Sequence, residues 1–438
     1  MARPKNSKPT AAGAGAGRGK LLFISYFFPP TAGGGVFRPL AMVKYLSRLG
    51  WNVTVITSTT PRHYPTDPDL EKQIPSTVEI IRIPVVWEGS MLRRGLGRLE
   101  LGWIPKALIT PDERVFWAER AATHARKLIN QSSFDCLYTT GPPHSILLSG
   151  LWLKREFKTV PWVAEFRDPW TLAPYLTQAN AHHRRFARDV EADLMEKADA
   201  VVMVTPSFAR MMKEKYPDFA GKVNCVENGF DTEDFAQLPR EKPRNSEFTI
   251  VAAGTVFGRY NMNDFLDGVE ELRKTSSLIY ERISVNFQGL PDSDLERRLL
   301  ESGLKDRCRS RGFVAHRENI RDLASADLLI LPLSKVPNGE GHIPSRAYEF
   351  VASGAPILAI CPDGDLADLV SRFPNARRLT PGDHKAVAKA IEESVLKWES
   401  GDSSKTNIPL PAQYSREARA KEMDRIMVGL LCKNKEGS

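Results

Sequence analysis

Residues 21–58, LLFISYFFPPTAGGGVFRPLAMVKYLSRLGWNVTVITS, contain a complete strand–loop–helix–strand unit. LLFISYF (21–27) is a continuous apolar run of strand length. PPTAGGG (29–35) is a turn, and VFRPLAMVKYLSRLG (36–50) carries helical periodicity and stops at a glycine cap. WNVTVITS (51–58) is the next strand. This order makes a βαβ unit and hence a parallel sheet.

Similar units recur outward from this one. FDCLYTT (134–140), a helix at 145–156 and PWVAEF (161–166) repeat it, and a helix at 183–197 leads into ADAVVMVT (198–205) and VNCVEN (223–228). The polar, proline-bearing stretch AQLPREKPRNS (236–246) breaks the pattern and places a linker at 237–246. A second series follows: FTIVAAG (248–254), helix 261–274, ISVNFQG (283–289), helix 293–303, CRSRGFV (308–314), helix 316–325, DLLILPL (327–333), PILAI (356–360) and helix 383–398. The expected division is a disordered tail over 1–19, a first domain over 20–236 and a second over 247–414. A helix at 415–431 is expected to pack back on the first domain.

The 438 residues exceed one ordinary domain, and 42% hydrophobic with 26% charged residues is the balance of a soluble globular chain. No uncharged apolar run reaches the ~18 residues a membrane helix requires. The first residues, MARPKNSKPTAAGAGAGRG, lack the apolar core of a secretory signal. Five scattered cysteines form no CxxC pair and no zinc-spaced cluster, which fits reduced thiols in a cytoplasm and no structural metal. A net charge of +8 suits nucleic acid, or else anionic lipid and phosphorylated ligands. Without a nucleic-acid motif, the second is favoured.

HIPSRAYEFVASGAPILAI (342–360) carries the clearest chemistry. An Arg-bearing turn runs into a short helix with one glutamate, Glu349, and the helix stops at Ser353-Gly354. A helix N-terminus offers free N–H groups and partial positive charge to a phosphate. A carboxylate about one turn further in can accept from sugar hydroxyls. The glycines Gly33, Gly34 and Gly35 let backbone approach a ligand closely. Arg259, after AAGTVFG, and Arg346 offer guanidinium charge for a diphosphate. Glu165, Arg167 and Asp168 in EFRDPW cluster at a strand's carboxyl end, where ligands bind in such sheets, and His144 ends the preceding strand. MLRRGLGR (91–98) and HHRRFAR (182–188) are basic clusters suited to a membrane surface.

Four segments, 23–57, 139–170, 198–235 and 342–359, taken in this order and spacing, resemble the family 4 glycosyltransferases, the second of them the bacterial branch that builds surface polysaccharides. The resemblance spans roughly residues 20–431. It implies an α/β fold of two doubly wound, Rossmann-like domains facing across a cleft, the GT-B architecture. It implies donor-diphosphate contacts at Gly34, Gly35, Arg259, Ser345 and Arg346, and a ribose contact at Glu349. Sugar contacts fall to Glu340 and His342, and catalytic roles to Asp168, Arg167 and His144. The family's first glutamate, eight positions before the second, is replaced by Gly341, with Glu340 one residue earlier.

The expected activity is retaining transfer of a sugar from a nucleotide-sugar donor to a glycan or polyprenyl-linked acceptor. The nucleotide sugar is a co-substrate and no cofactor is implied; absence of a DxD motif before a strand end agrees with the metal independence expected of GT-B enzymes. Peripheral contact with the cytoplasmic face of a membrane would suit a lipid-linked acceptor, and nucleic acid is not a partner. Two alternatives are a nucleotide-sugar epimerase and a non-catalytic partner subunit of an active glycosyltransferase.

Overall fold

The apolar runs form strands because both faces of each are covered. In the computed structural model, which describes residues 17–85, 111–172, 181–236, 238, 245–254, 260, 262–289, 293–401 and 412–436, Leu21 to Ile24 are fully buried. The first sheet comprises β1 Gly19–Ser25, β2 Trp51–Ser58, β3 Glu79–Ile83, β4 Cys136–Gly141, β5 Trp162–Phe166, β6 Ala200–Met203 and β7 Val223–Cys225, in the order β3-β2-β1-β4-β5-β6-β7. The second comprises β8 Phe248–Ala253, β9 Ile283–Gln288, β10 Cys308–Ser310, β11 Leu328–Pro332, β12 Ile357–Ile360 and β13 Ala376–Leu379, in the order β10-β9-β8-β11-β12-β13. Every pairing between these strands is parallel.

Strand order reverses beside β1 in one sheet and beside β8 in the other. Crevices open at the carboxyl ends of the strands at such points. Register fixes the first: Phe23 lies opposite Tyr138, their rings stacked at 4.6 Å. β1 stops at Ser25, two residues before the apolar run does, so Phe27 leaves the sheet and faces the cleft.

Helix Arg416–Glu436 returns to the first domain. Ala420, Met423 and Met427 pack with Ala41 and Tyr45 of helix Phe37–Arg48, and Trp51 Nε1 donates to Asp424 at 2.8 Å. Two carboxylates join the domains across the cleft, each capping a helix of the opposite domain. Asp67 Oδ2 accepts from the backbone N–H of His316 at 2.8 Å. Asp365 accepts from Ser207 N–H at 2.9 Å and Ser207 Oγ at 2.7 Å. Both sites are buried, where such hydrogen bonds to a charged group are strong. Residues 1–16 of the tail, 91–98 and most of the linker lie outside the described residues.

Candidate functional site

Helix Arg346–Ser353 brings Arg346 and Glu349 to the cleft while Tyr348, Phe350 and Val351 pack in the core, and Gly354 ends it with a left-handed φ of 70°. Ser345 stands at its N-cap without a side-chain capping bond. Arg346 lies along the end of β8. A Cβ on Gly254 would stand 2.0 Å from Arg346 Nη1, so only glycine admits the guanidinium there. The guanidinium sits over the Tyr260 ring at 5.3 Å. Its Nε and Nη2 are buried and make no hydrogen bond among the described residues. Burial, opposed only by Tyr260, pushes its pKa down to about 10.

An arginine buried without an acceptor costs free energy unless a ligand supplies one. Arg346 lines an interdomain cavity of about 380 Å³ together with Gly33, Gly34, Ser345, Gly254 and Glu349. A Cβ on Gly34 would lie 3.9 Å from Ser345 Oγ, so the glycine loop of one domain meets the helix N-terminus of the other. Backbone donors, an unneutralised guanidinium and a helix N-terminus together suit a diphosphate. Arg259 lies outside the described residues.

Glu349 lines the same cavity but is already engaged. Arg416 Nη2 donates to its Oε1 at 2.8 Å, in a buried pair. His316 stands nearby, its Nε2 2.8 Å from Asp234 Oδ2. Burial pushes the His316 imidazole down, but the hydrogen bond and charge of Asp234, helped by Glu349, raise it above its ordinary value.

A second cavity of about 280 Å³ adjoins the first, with Gly34 and Ser345 in both walls. Arg167, Asp168 and His342 line it, with His342 Nδ1 3.8 Å from Asp168 Oδ1. Arg167 donates to three carbonyls, those of Gly35 at 2.7 Å, Gly141 at 3.2 Å and Pro142, and so ties the glycine loop to the end of β4. Burial lowers its pKa.

Three expected site residues are placed elsewhere. His144 is buried, stacks on Trp170 and bonds the Asp168 carbonyl at 3.2 Å; it lines neither cavity and orients the Asp168 loop. Glu165 is enclosed by Arg38, Tyr138 and Thr140, at 2.8, 2.6 and 2.6 Å. Burial pushes this carboxyl up, but Arg38 and the hydrogen bonds hold it below its ordinary value. It anchors helix Phe37–Arg48 rather than touching a ligand. Glu340 is exposed and lines neither cavity, and its carbonyl accepts from Asp365 N–H at 2.7 Å. Nor can the first-glutamate position be filled in this arrangement. A Cβ on Gly341 would stand 2.3 Å from the ring of Phe208, which also packs edge-on against His342 at 4.9 Å.

Sequence reasoning missed Arg38, Tyr260, His316 and Arg416, all of which line one cavity or both. Their signal lies in distances across the domains. Arg416 and Glu349 are 67 positions apart, with no local spacing to join them.

Two doubly wound parallel domains facing across a cleft are the GT-B architecture, here with a phosphate-suited helix N-terminus at the cleft. More particularly, residues 33–229 match the family described as "Glycosyl transferase 4-like domain". No curated protein matches the sequence. Sucrose-phosphate synthase from Thermosynechococcus elongatus is similar in fold, with a TM-score of 0.64 at 17% identity over 95% of this chain and 100% of that one. S. aureus TarM, solved with Fondaparinux, alpha-GlcNAc-glycerol and UDP, gives 0.63 at 10% identity over 93% and 99%. The catalytic domain of Starch Synthase IV from Arabidopsis thaliana, bound to ADP and acarbose, gives 0.62 at 11% identity over 95% and 100%.

Proposed function

We propose that the protein is a retaining glycosyltransferase that moves a sugar from a nucleotide-sugar donor to a glycan or lipid-linked saccharide. The observation that carries this is Arg346, half-buried beside a helix N-terminus in an interdomain cavity, with its buried Nε and Nη2 unpartnered among the described residues. The similar folds solved with UDP and with ADP support a nucleotide in this cavity. The donor diphosphate lies against Arg346, Ser345 and the Gly33–Gly35 loop, and Glu349 meets the ribose. The transferred sugar and the acceptor occupy the adjoining cavity beside Asp168 and His342.

Transfer breaks the bond from the anomeric carbon to the phosphate oxygen and forms one to the acceptor oxygen. Positive charge develops on the sugar and negative charge on the departing diphosphate, where a fixed guanidinium stabilises it without reorganisation. The acceptor proton passes to a donor phosphate oxygen, so attack and departure share one face. Arg346 supplies the countercharge. A lipid-linked acceptor of the surface-polysaccharide type is supported by the exposed Arg184, Arg185 and Arg188 of helix Ala181–Lys197, which suit anionic headgroups. No helix among the described residues is long and apolar enough to cross a membrane.

One observation favours a second reading, a partner subunit without transfer activity: Glu340 is turned away and Gly341 is closed by Phe208. Incubation with nucleotide sugars and extracted polyprenyl-linked saccharides, followed by mass spectrometry, separates the readings. Transfer yields nucleoside diphosphate and a new glycoside. Epimerisation changes the sugar without an acceptor, and a partner subunit binds without turnover.

A further inference from the structure

The donor cavity is also lined by Gln288, Gly289, Phe313, Val314 and Asn319. Gln288 ends β9 and lies opposite Ala253 of β8; its carbonyl accepts from Gly254 N–H at 2.7 Å. Gly254 is also the residue against which Arg346 rests. The diphosphate-suited arginine and Gln288 therefore flank one residue, within one cavity.

The side-chain amide of Gln288 is 2% exposed as part of its residue and is half satisfied. Its Nε2 donates to Asp322 Oδ2 at 2.5 Å, while Oε1 is buried without a hydrogen-bond partner among the described residues. The orientation follows from chemistry. A carboxylate only accepts, so it must receive the amide N–H₂, and Oε1 is left on the other side. Asp322 is itself paired with Arg311, which prevents it from turning away. Beside this fixed acceptor stands the Phe313 ring, 38% exposed although large and apolar. An apolar ring beside a fixed, unsatisfied acceptor suits a flat heterocycle carrying an N–H on its edge. A nucleobase is the part of a nucleotide sugar with that chemistry.

Resting on the donor-cavity reading above, we infer that Gln288 is a specificity-determining residue for the donor. Its Oε1 accepts an N–H from the nucleobase, Phe313 covers the ring, and Asp322 with Arg311 acts as a positioning pair that locks the amide. Because the amide cannot turn, the acceptor stands at one place only, and bases whose N–H falls elsewhere are disfavoured.

Isothermal titration of the full chain with UDP, GDP, ADP, CDP, dTDP and inorganic pyrophosphate tests this, using the wild type, Gln288→Met and Asp322→Asn. Thermal unfolding confirms that the variants fold. Gln288→Met keeps size and removes the acceptor, and about tenfold loss of affinity for the preferred nucleoside diphosphate is expected, with pyrophosphate affinity unchanged. Asp322→Asn unlocks the amide and narrows the spread of affinities across the five nucleotides. Unchanged nucleotide affinities in folded Gln288→Met, with pyrophosphate still bound, would overturn the role of Gln288 and leave the diphosphate site standing. If the wild type binds neither nucleotides nor pyrophosphate, the donor-cavity reading falls and this inference with it.

Discussion

Arg346 shows how one residue can point to the charge of a ligand. Its guanidinium lies against Gly254 and Tyr260, and its buried Nε and Nη2 have no hydrogen-bond partner among the described residues, an electrostatic cost that an anion would relieve. Arg346→Met is therefore expected to hold or raise the thermal stability of the ligand-free protein. The same change should weaken nucleoside diphosphate binding by roughly ten- to a hundredfold, the worth of charge-assisted hydrogen bonds. Calorimetric melting and titration measure the two effects, and loss of both stability and affinity would instead mark Arg346 as a structural residue. The arginine was legible in the sequence because it stands before a short helix that a glycine closes. Glu349 was legible in position but not in engagement, since its pairing with Arg416 depends on the return of the C-terminal helix. Glu165 and His144 were misread for a related reason. Polar residues at strand ends either face the cleft or brace it, and only Arg38, Tyr138 and Trp170 show which.

At the scale of elements, the first crevice is braced by charge. Arg38 binds Glu165 and also donates to the carbonyls of Val226 and Glu227, so one buried pair holds helix Phe37–Arg48 to β5 and to the crossing into the second domain. Glu165→Ala leaves Arg38 buried without its carboxylate and should cost about 3–5 kcal/mol in denaturant unfolding of the first domain; a change under about 1 kcal/mol would show that the carbonyls suffice. Helix His316–Ser325 carries a pH-dependent contact. The His316 pKa is raised in the folded protein, so the stabilisation from Asp234 is fully present below the unfolded value of about 6.5 and is lost as pH rises through the folded value. Melting temperatures should therefore fall more steeply with rising pH, from neutral into mildly alkaline solution, in the wild type than in His316→Gln. Equal slopes would remove the pair from the account. Elements with long apolar runs were read correctly in kind. Those passed over lack such runs: β13 (ARRL) and β3 (EIIRI) are edge strands, and helix Val115–Gln131 buries mainly alanines.

The whole molecule is held across its cleft by two reciprocal caps, Asp67 on helix His316–Ser325 and Asp365 on helix Pro206–Lys215. Neither is legible in sequence, because each joins a loop or helix end to a backbone N–H more than 150 positions away. The arrangement places site residues from both domains around shared cavities, which makes closure part of assembling the site. Asp67→Ala combined with Asp365→Ala should enlarge the radius of gyration of the ligand-free protein in small-angle scattering, and nucleoside diphosphate should restore the smaller value. An identical radius in variant and wild type would show that the remaining contacts between the domains, His316–Asp234 and Arg416–Glu349 among them, close the cleft without the caps. The central claim is that the cavity beside Arg346 binds a nucleoside diphosphate, and a thermal-shift comparison of wild type and Arg346→Met against UDP, GDP, ADP, CDP and dTDP tests it most directly. A ligand that binds only the folded state raises the melting temperature with concentration. The account predicts a concentration-dependent rise for a subset of these nucleotides in the wild type and its loss in Arg346→Met; no rise at millimolar nucleotide, or an equal rise in both proteins, would contradict it.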